Sequence, residues 1–257
     1  MLAHQAQARL RERCGDTTRL EAELLLAYAL ECNRAQLFAR YSQPVEGDVV
    51  VRFAELLERR MAGEPLAYIT GHTEFYGLDL VVTPGVLIPR PETEQMLSMA
   101  VGEVVAAQRR ARYARTFRVA DIGTGSGAIA VALATRLPSA TIFGVDISET
   151  ALAIARINCV RHGLSGRIRL VRGDLLAPLT GLFDAILANL PYIRTGDLPT
   201  LQTEVRDWEP LEALDGGIDG LDHYRRFLPQ AASYLAPGGF LICEIGYGQA
   251  LEMRQLA

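Results

Sequence analysis

The chain has 257 residues, 49% of them apolar, and its 26 basic and 30 acidic residues leave a formal net charge of −4. That size and balance fit one large soluble domain, or one with a smaller companion, and give no general electrostatic pull toward nucleic acid. No run approaches the roughly 18 apolar residues of a membrane span, and the polar start is unlike a signal peptide, so a cytoplasmic protein is expected.

Cys14, Cys32, Cys159 and Cys243 are too scattered for a disulfide framework or structural zinc, and the four histidines show no ligand spacing, so no metal is expected. Every basic residue is arginine. The one basic run, Arg109, Arg110, Arg112, Arg115 and Arg118, reads as a solvated helix end rather than an RNA contact.

Taken in chain order, the first 62 residues read as helices. Asp16 can cap a segment in which Leu20, Leu24, Leu25 and Tyr28 recur at helical spacing, and 49–61 repeats the pattern before Gly63. Acidic and basic residues balance there, nine of each, which suits a small bundle that contacts another macromolecule or shapes the substrate entrance better than a basic clamp. Alternation over 73–83 predicts a β-hairpin turning at Gly77. Pro84, Pro89 and Pro91 then enforce an extended connector, and Glu92 opens a helix toward residue 110. The expected division is a helical domain over 1–72, a hairpin and proline-rich linker over 73–91, and a second domain over 92–257.

In that second domain apolar strands alternate with helices. Strands are expected at 117–122, 141–145, 168–171, 183–188 and 240–244, with helices such as 126–136, 148–162 and 221–235 between them. Such βα units build a parallel sheet covered on both faces. The sequence ends shortly after the fifth strand, so the last two strands of the full sheet are expected to be missing from it.

Asp121-Ile122-Gly123-Thr124-Gly125-Ser126-Gly127 leaves the first of these strands and enters a helix. Glycines there allow close backbone approach, and helix-terminal amides face a ligand. Dinucleotide sites use G-x-G-x-x-G; here an acid precedes G-x-G-x-G, which suits a cofactor carrying an ammonium group, S-adenosylmethionine. Asp146 ends the second strand and can accept both ribose hydroxyls. Asp174, after the third strand, is placed to accept from an adenine amino group, with Leu175 against the ring. Glu244-Ile245-Gly246-Tyr247-Gly248 echoes the glycine loop but reads as a turn away from the site.

The fourth strand runs into Asn189-Leu190-Pro191-Tyr192. Asn189 offers an amide oxygen, Pro191 holds Leu190 extended with its carbonyl outside any helical ladder, and Tyr192 adds a flat face. Two acceptors and an aromatic plate can hold a planar amino group, which implies methyl transfer to nitrogen. Asn189 belongs to both the acceptor clamp and the cofactor site.

Gly63-Glu64-Pro65-Leu66-Ala67-Tyr68-Ile69, Phe75-Tyr76-Gly77 and Ile88-Pro89-Arg90-Pro91-Glu92-Thr93-Glu94 resemble the release-factor glutamine N5-methyltransferases, the HemK type, and the resemblance runs to the chain end. It implies a class I S-adenosylmethionine-dependent methyltransferase, Rossmann-like with a mostly parallel sheet, behind a helical substrate-docking domain. It also implies a substrate: the glutamine of the Gly-Gly-Gln loop in peptide-chain release factors. A monomer without nucleic-acid or membrane contact is expected. Leu190 departs from the family's usual Asn-Pro-Pro-Tyr. Asn-Leu-Pro-Tyr is common in adenine-N6 methyltransferases of ribosomal RNA, so adenine-N6 methylation of RNA or DNA is the alternative. Arg90 and Thr93 either line the entrance or serve the linker.

Overall fold

Apolar runs long enough to be buried on both faces dictate the centre of the molecule. A computed structural model describes residues 6–11, 18–40, 43–110 and 116–257 and divides them into two compact units. Asp16, Cys14, Arg112 and Arg115 lie outside the described residues.

The first unit comprises residues 1–71 together with 203–208. Its helices include α1 (Thr18–Ala29), α2 (Arg34–Ala39), α3 (Asp48–Met61) and α4 (Leu66–Thr70), and α8 (Thr203–Arg206) from the later segment joins them. Asn33 starts α2 with a capping box, its Oδ1 accepting from the Gln36 amide at 2.9 Å while Gln36 returns the bond. Leu25, Leu26, Leu37, Phe53, Leu56 and Leu57 form the core. Leu20 and Tyr28, expected on the buried stripe of α1, are exposed. The run Leu24-Leu25-Leu26-Ala27 offers two apolar faces, and the one flanked by small Ala22 and Ala29 packs closer.

The second unit opens with a hairpin of β1 (His72–Phe75) and β2 (Leu78–Val81), paired antiparallel, followed by α5 (Thr93–Arg110). Its sheet contains β3 (Phe117–Ile122), β4 (Ala140–Asp146), β5 (Ile168–Arg172), β6 (Phe183–Ala188) and β7 (Leu235–Cys243), all parallel, in the order β5-β4-β3-β6-β7. Side chains alternate across it as the pleat requires. Val119, Ala185 and Leu187 join Leu97, Leu133 and Cys159 of α5, α6 (Ala128–Arg136) and α7 (Glu149–Arg161) on one face. Ala120, Ile122, Ile186 and Ala188 meet Tyr224, Phe227 and Met253 of α9 (Asp222–Tyr234) and α10 (Ala250–Leu256) on the other.

Arg118 is not at a solvated helix end. It lies on β3, with its guanidinium 4.6 and 4.7 Å from the rings of Phe143 and Phe183 and donating to the Thr180 carbonyl at 2.6 Å. No helix among the described residues is long and apolar enough to cross a membrane, and no group of His, Cys, Asp and Glu among them could hold a metal ion.

Candidate active site

The strand order fixes where ligands can bind. The chain runs from β3 outward through β4 and β5, then returns to place β6 on the other side of β3. Neighbouring strands whose connections leave in opposite directions open a crevice at their carboxyl ends. The glycine loop leaves β3 and the Asn189–Tyr192 segment leaves β6, so the two border the same crevice.

The loop is held by its own backbone. Gly123 and Thr124 amides both donate to the Val145 carbonyl at 2.9 Å. A Cβ on Gly123 would come within 3.2 Å of Leu190 Cδ2 and 3.4 Å of the Asn189 carbonyl oxygen, so only glycine lets the two segments lie this close. Asn158 of α7, fully buried, accepts from the Val81 amide at 2.7 Å and donates to the Val81 and Ser126 carbonyls at 2.9 Å. It ties the hairpin to the end of the loop, and nothing near it in sequence signals that role.

Asp121 is fully buried. Its Oδ2 accepts from the Thr124 hydroxyl at 2.6 Å and the Ala130 amide at 3.1 Å, while Oδ1 has no partner among the described residues. Burial pushes its pKa up to about 7; the bonds from Thr124 and Ala130 oppose the rise, and nearby Asp146 adds to it. A buried, unpartnered carboxylate oxygen beside a glycine loop fits a cationic group of a ligand.

Asp146 receives the Gly125 amide at 2.8 Å and the Ser148 amide at 2.9 Å, and burial lifts its pKa despite those bonds. A carboxylate has about four lone-pair directions, so two amides leave acceptor capacity for ribose hydroxyls. The next residue, Ile147, is 65% exposed and offers an apolar face directly after the strand-end acid. Asp174 is ion-paired with Arg226 of α9 and stands partly exposed. Leu175 adopts a left-handed backbone, φ 50°, and turns into the core with Leu176 and Leu179, so Ile147 rather than Leu175 is the open apolar surface.

On the opposite wall, the Leu190 carbonyl accepts no hydrogen bond from the described residues, while the Leu190 amide donates to the Tyr224 hydroxyl at 3.3 Å. Asn189 Nδ2 donates to Thr93 Oγ1 at 3.2 Å, and Thr93 donates to Glu244 Oε2 at 2.6 Å. The Tyr192 hydroxyl donates to Glu244 Oε1 at 3.3 Å, and burial together with Glu244 pushes its pKa up to about 12, so it stays protonated. Gln249, also buried, donates to the Tyr192 carbonyl at 3.0 Å and accepts from the Gly246 amide at 2.8 Å.

The segment 244–249 therefore does more than turn the chain. β7 lies beside β6, which brings Glu244 next to the Asn189–Tyr192 loop. Arg90 anchors the linker by pairing with buried Glu209, which also accepts from the Ile88 amide at 3.1 Å.

Two family descriptions match the chain: "PrmC N-terminal domain" over residues 2–71 and "Methyltransferase small domain" over residues 103–204. A protein of Moorella thermoacetica named release factor glutamine methyltransferase is 48% identical over 93% of this chain and 82% of its own length. One of the same name from Geobacter sulfurreducens is 48% identical over 94% of this chain and 81% of its own length. The chain belongs to the release factor glutamine methyltransferase family. Solved structures agree on the fold at low identity. The hMettl16 catalytic domain superposes with a TM-score of 0.55 at 16% identity, over 81% of this chain and 71% of that one. A methyltransferase of Pyrococcus furiosus gives 0.50 at 19%, over 79% and 85%.

Proposed function

We propose that this chain transfers a methyl group from S-adenosylmethionine to the side-chain amide nitrogen of the glutamine in the Gly-Gly-Gln loop of peptide-chain release factors. The observation that carries the proposal is the close approach of two loops at the carboxyl ends of β3 and β6. A glycine loop with a buried, unpartnered carboxylate oxygen forms one wall, and a loop presenting two acceptors beside an aromatic ring forms the other.

When bound, S-adenosylmethionine supplies an electrophilic methyl group on a sulfonium. Asp121 would receive the ammonium of its amino-acid part, Gly123, Thr124, Gly125, Ser126 and Gly127 would line the loop around it, Asp146 would hold the ribose, and Ile147 would offer the adenine an apolar face. Asp174 would reach the adenine amino group only by sharing Arg226. Asn189 Oδ1 and the Leu190 carbonyl each accept one N–H of the substrate amide, which turns its nitrogen toward the methyl. Tyr192, held by Glu244, packs against the amide plane.

An amide nitrogen is a poor nucleophile, so orientation is the main contribution; well-oriented model reactions gain about 7–11 kcal/mol this way. The two fixed oxygens also favour the positive charge that develops on nitrogen as the methyl–sulfur bond breaks and the sulfur leaves as a neutral thioether. One amide proton then passes to solvent to give the neutral N-methyl amide. Leu190 in place of proline does not disturb this, because the contact is made by its backbone.

The helical unit serves to dock the release factor, and the protein acts as a cytoplasmic monomer without nucleic-acid contact. Its net charge of −4 favours a protein partner. Labelled methyl transfer to a purified release factor, beside the same factor with its loop glutamine replaced, tests the assignment. Label is expected in the natural factor alone, and equal label in both would overturn it.

A further inference from the structure

The direction in which Asn189 presents its carboxamide is not fixed by its own shape. The amide has an acceptor end and a donor end of nearly equal size, and only the acceptor end can receive an N–H from a substrate amino group. Rotated by half a turn, it would set NH2 against NH2 and drive the substrate nitrogen out of line.

We infer that Thr93 and Glu244 are positioning residues that set this direction. The Glu244 carboxylate only accepts. Thr93 Oγ1 stands 2.6 Å from Glu244 Oε2, so the single hydroxyl proton of Thr93 is committed there. The oxygen of Thr93 can then only accept from Asn189, 3.2 Å away, and the group it receives must be Nδ2. Oδ1 is left as the free acceptor, and no described residue donates to it.

Thr93 is 3% exposed, so water cannot readily replace it in this chain of bonds. The same segment braces the second acceptor. The Tyr224 hydroxyl donates to the Glu244 carbonyl and accepts the Leu190 amide, which holds the backbone that carries the Leu190 oxygen. Thr93 begins α5 and Glu244 follows β7, 151 residues later, so the relay exists only once the sheet is assembled.

The inference rests on the amide-nitrogen reading above, and the experiment separates the two. Thr93→Val keeps the shape and removes the hydroxyl, whereas Thr93→Ser keeps the hydroxyl. With cofactor and release factor saturating, Thr93→Val is expected to lower kcat about 10–100-fold, in the range seen when outer-shell hydrogen-bond partners are lost. Cofactor Kd is expected to stay within about twofold, and Thr93→Ser to retain kcat within about fivefold.

Glu244→Gln is expected to cost about tenfold alone and clearly less in the Thr93→Val background, where only its hold on Tyr192 is left to lose. Thr93→Val turning over like the wild type, or Thr93→Ser losing as much as Thr93→Val, overturns the inference. An equal cost of Glu244→Gln in both backgrounds removes Glu244 from it. A wild type that labels the factor whatever stands at the loop position overturns the glutamine reading alone, and the Thr93 pair is then compared on the nitrogen that carries the label.

Discussion

Asp121 sits where a carboxylate is hardest to keep charged, with one oxygen satisfied by Thr124 and Ala130 and the other buried without a partner. Its pKa of about 7, against the ordinary 3.8, means that the folded protein binds a proton the unfolded chain has released. Stability from this group is therefore full below the ordinary value and lost as pH rises toward the folded value, the reverse of a salt-bridged aspartate. A cation placed beside the free oxygen favours the charged form, so cofactor binding below about pH 7 should expel a proton and tighten as pH rises to that point. Calorimetric titration with S-adenosylmethionine near pH 6.5, in two buffers of different ionisation enthalpy, measures the proton directly. Most of one proton is expected to leave the wild type and none the Asp121→Asn variant. Equal release by both would place the ammonium elsewhere.

At the level of elements, the start of α6 separates two kinds of glycine. Gly127 caps the helix at φ +79°, and a Cβ there would lie 3.0 Å from Ala155 Cβ and 3.1 Å from Ala155 Cα on α7. Gly125, at φ +55°, would meet nothing nearer than the Gly123 carbonyl at 4.0 Å, so its open side is space for a ligand. Gly127→Ala is expected to lose about 2–4 kcal/mol of stability from strain and overpacking combined. Gly125→Ala should lose about 1–2 kcal/mol, the left-handed backbone cost alone, but at least about tenfold in cofactor affinity. Urea unfolding and cofactor titration of both variants give the ranking, and a reversed order would refute this division. The strands were legible because apolar runs such as Phe117–Ile122 and Phe183–Ala188 need cover on both faces. The sequence predicts β7 from Phe240, since Pro237-Gly238-Gly239 looks like a turn, yet the strand pairs from Leu235 across an irregularity in register. The roles of Glu244, Thr93 and Arg226 were not legible for a different reason. Each depends on a partner 52 or more residues away, brought near by strand order, which local pattern does not encode.

Across the whole molecule the chain is not divided at a single point. Residues 203–208, which follow the Asn189–Tyr192 loop within the methyltransferase stretch of sequence, belong to the helical unit. Arg60 helps tie them there. It is 6% exposed, and its guanidinium reaches Glu21 at 2.9 Å, Glu204 at 2.8 Å and the Glu64 carbonyl at 3.1 Å, linking α3 to α1 and α8. Removing one member of a buried ion pair costs about 3–5 kcal/mol, because the remaining charge loses its compensation. Arg60→Ala should fall at the low end of that range, since Glu204 is partly exposed. The chain carries a single tryptophan, Trp208, in this same segment, so its emission reports the unfolding of the helical unit. In urea, Arg60→Ala is expected to bring the Trp208 transition to lower denaturant. Cofactor affinity should be retained, because Asp121, Asp146 and Asn189 all lie in the other unit. A Trp208 transition that does not move would mean that Arg60 does not secure residues 203–208 to the helical unit.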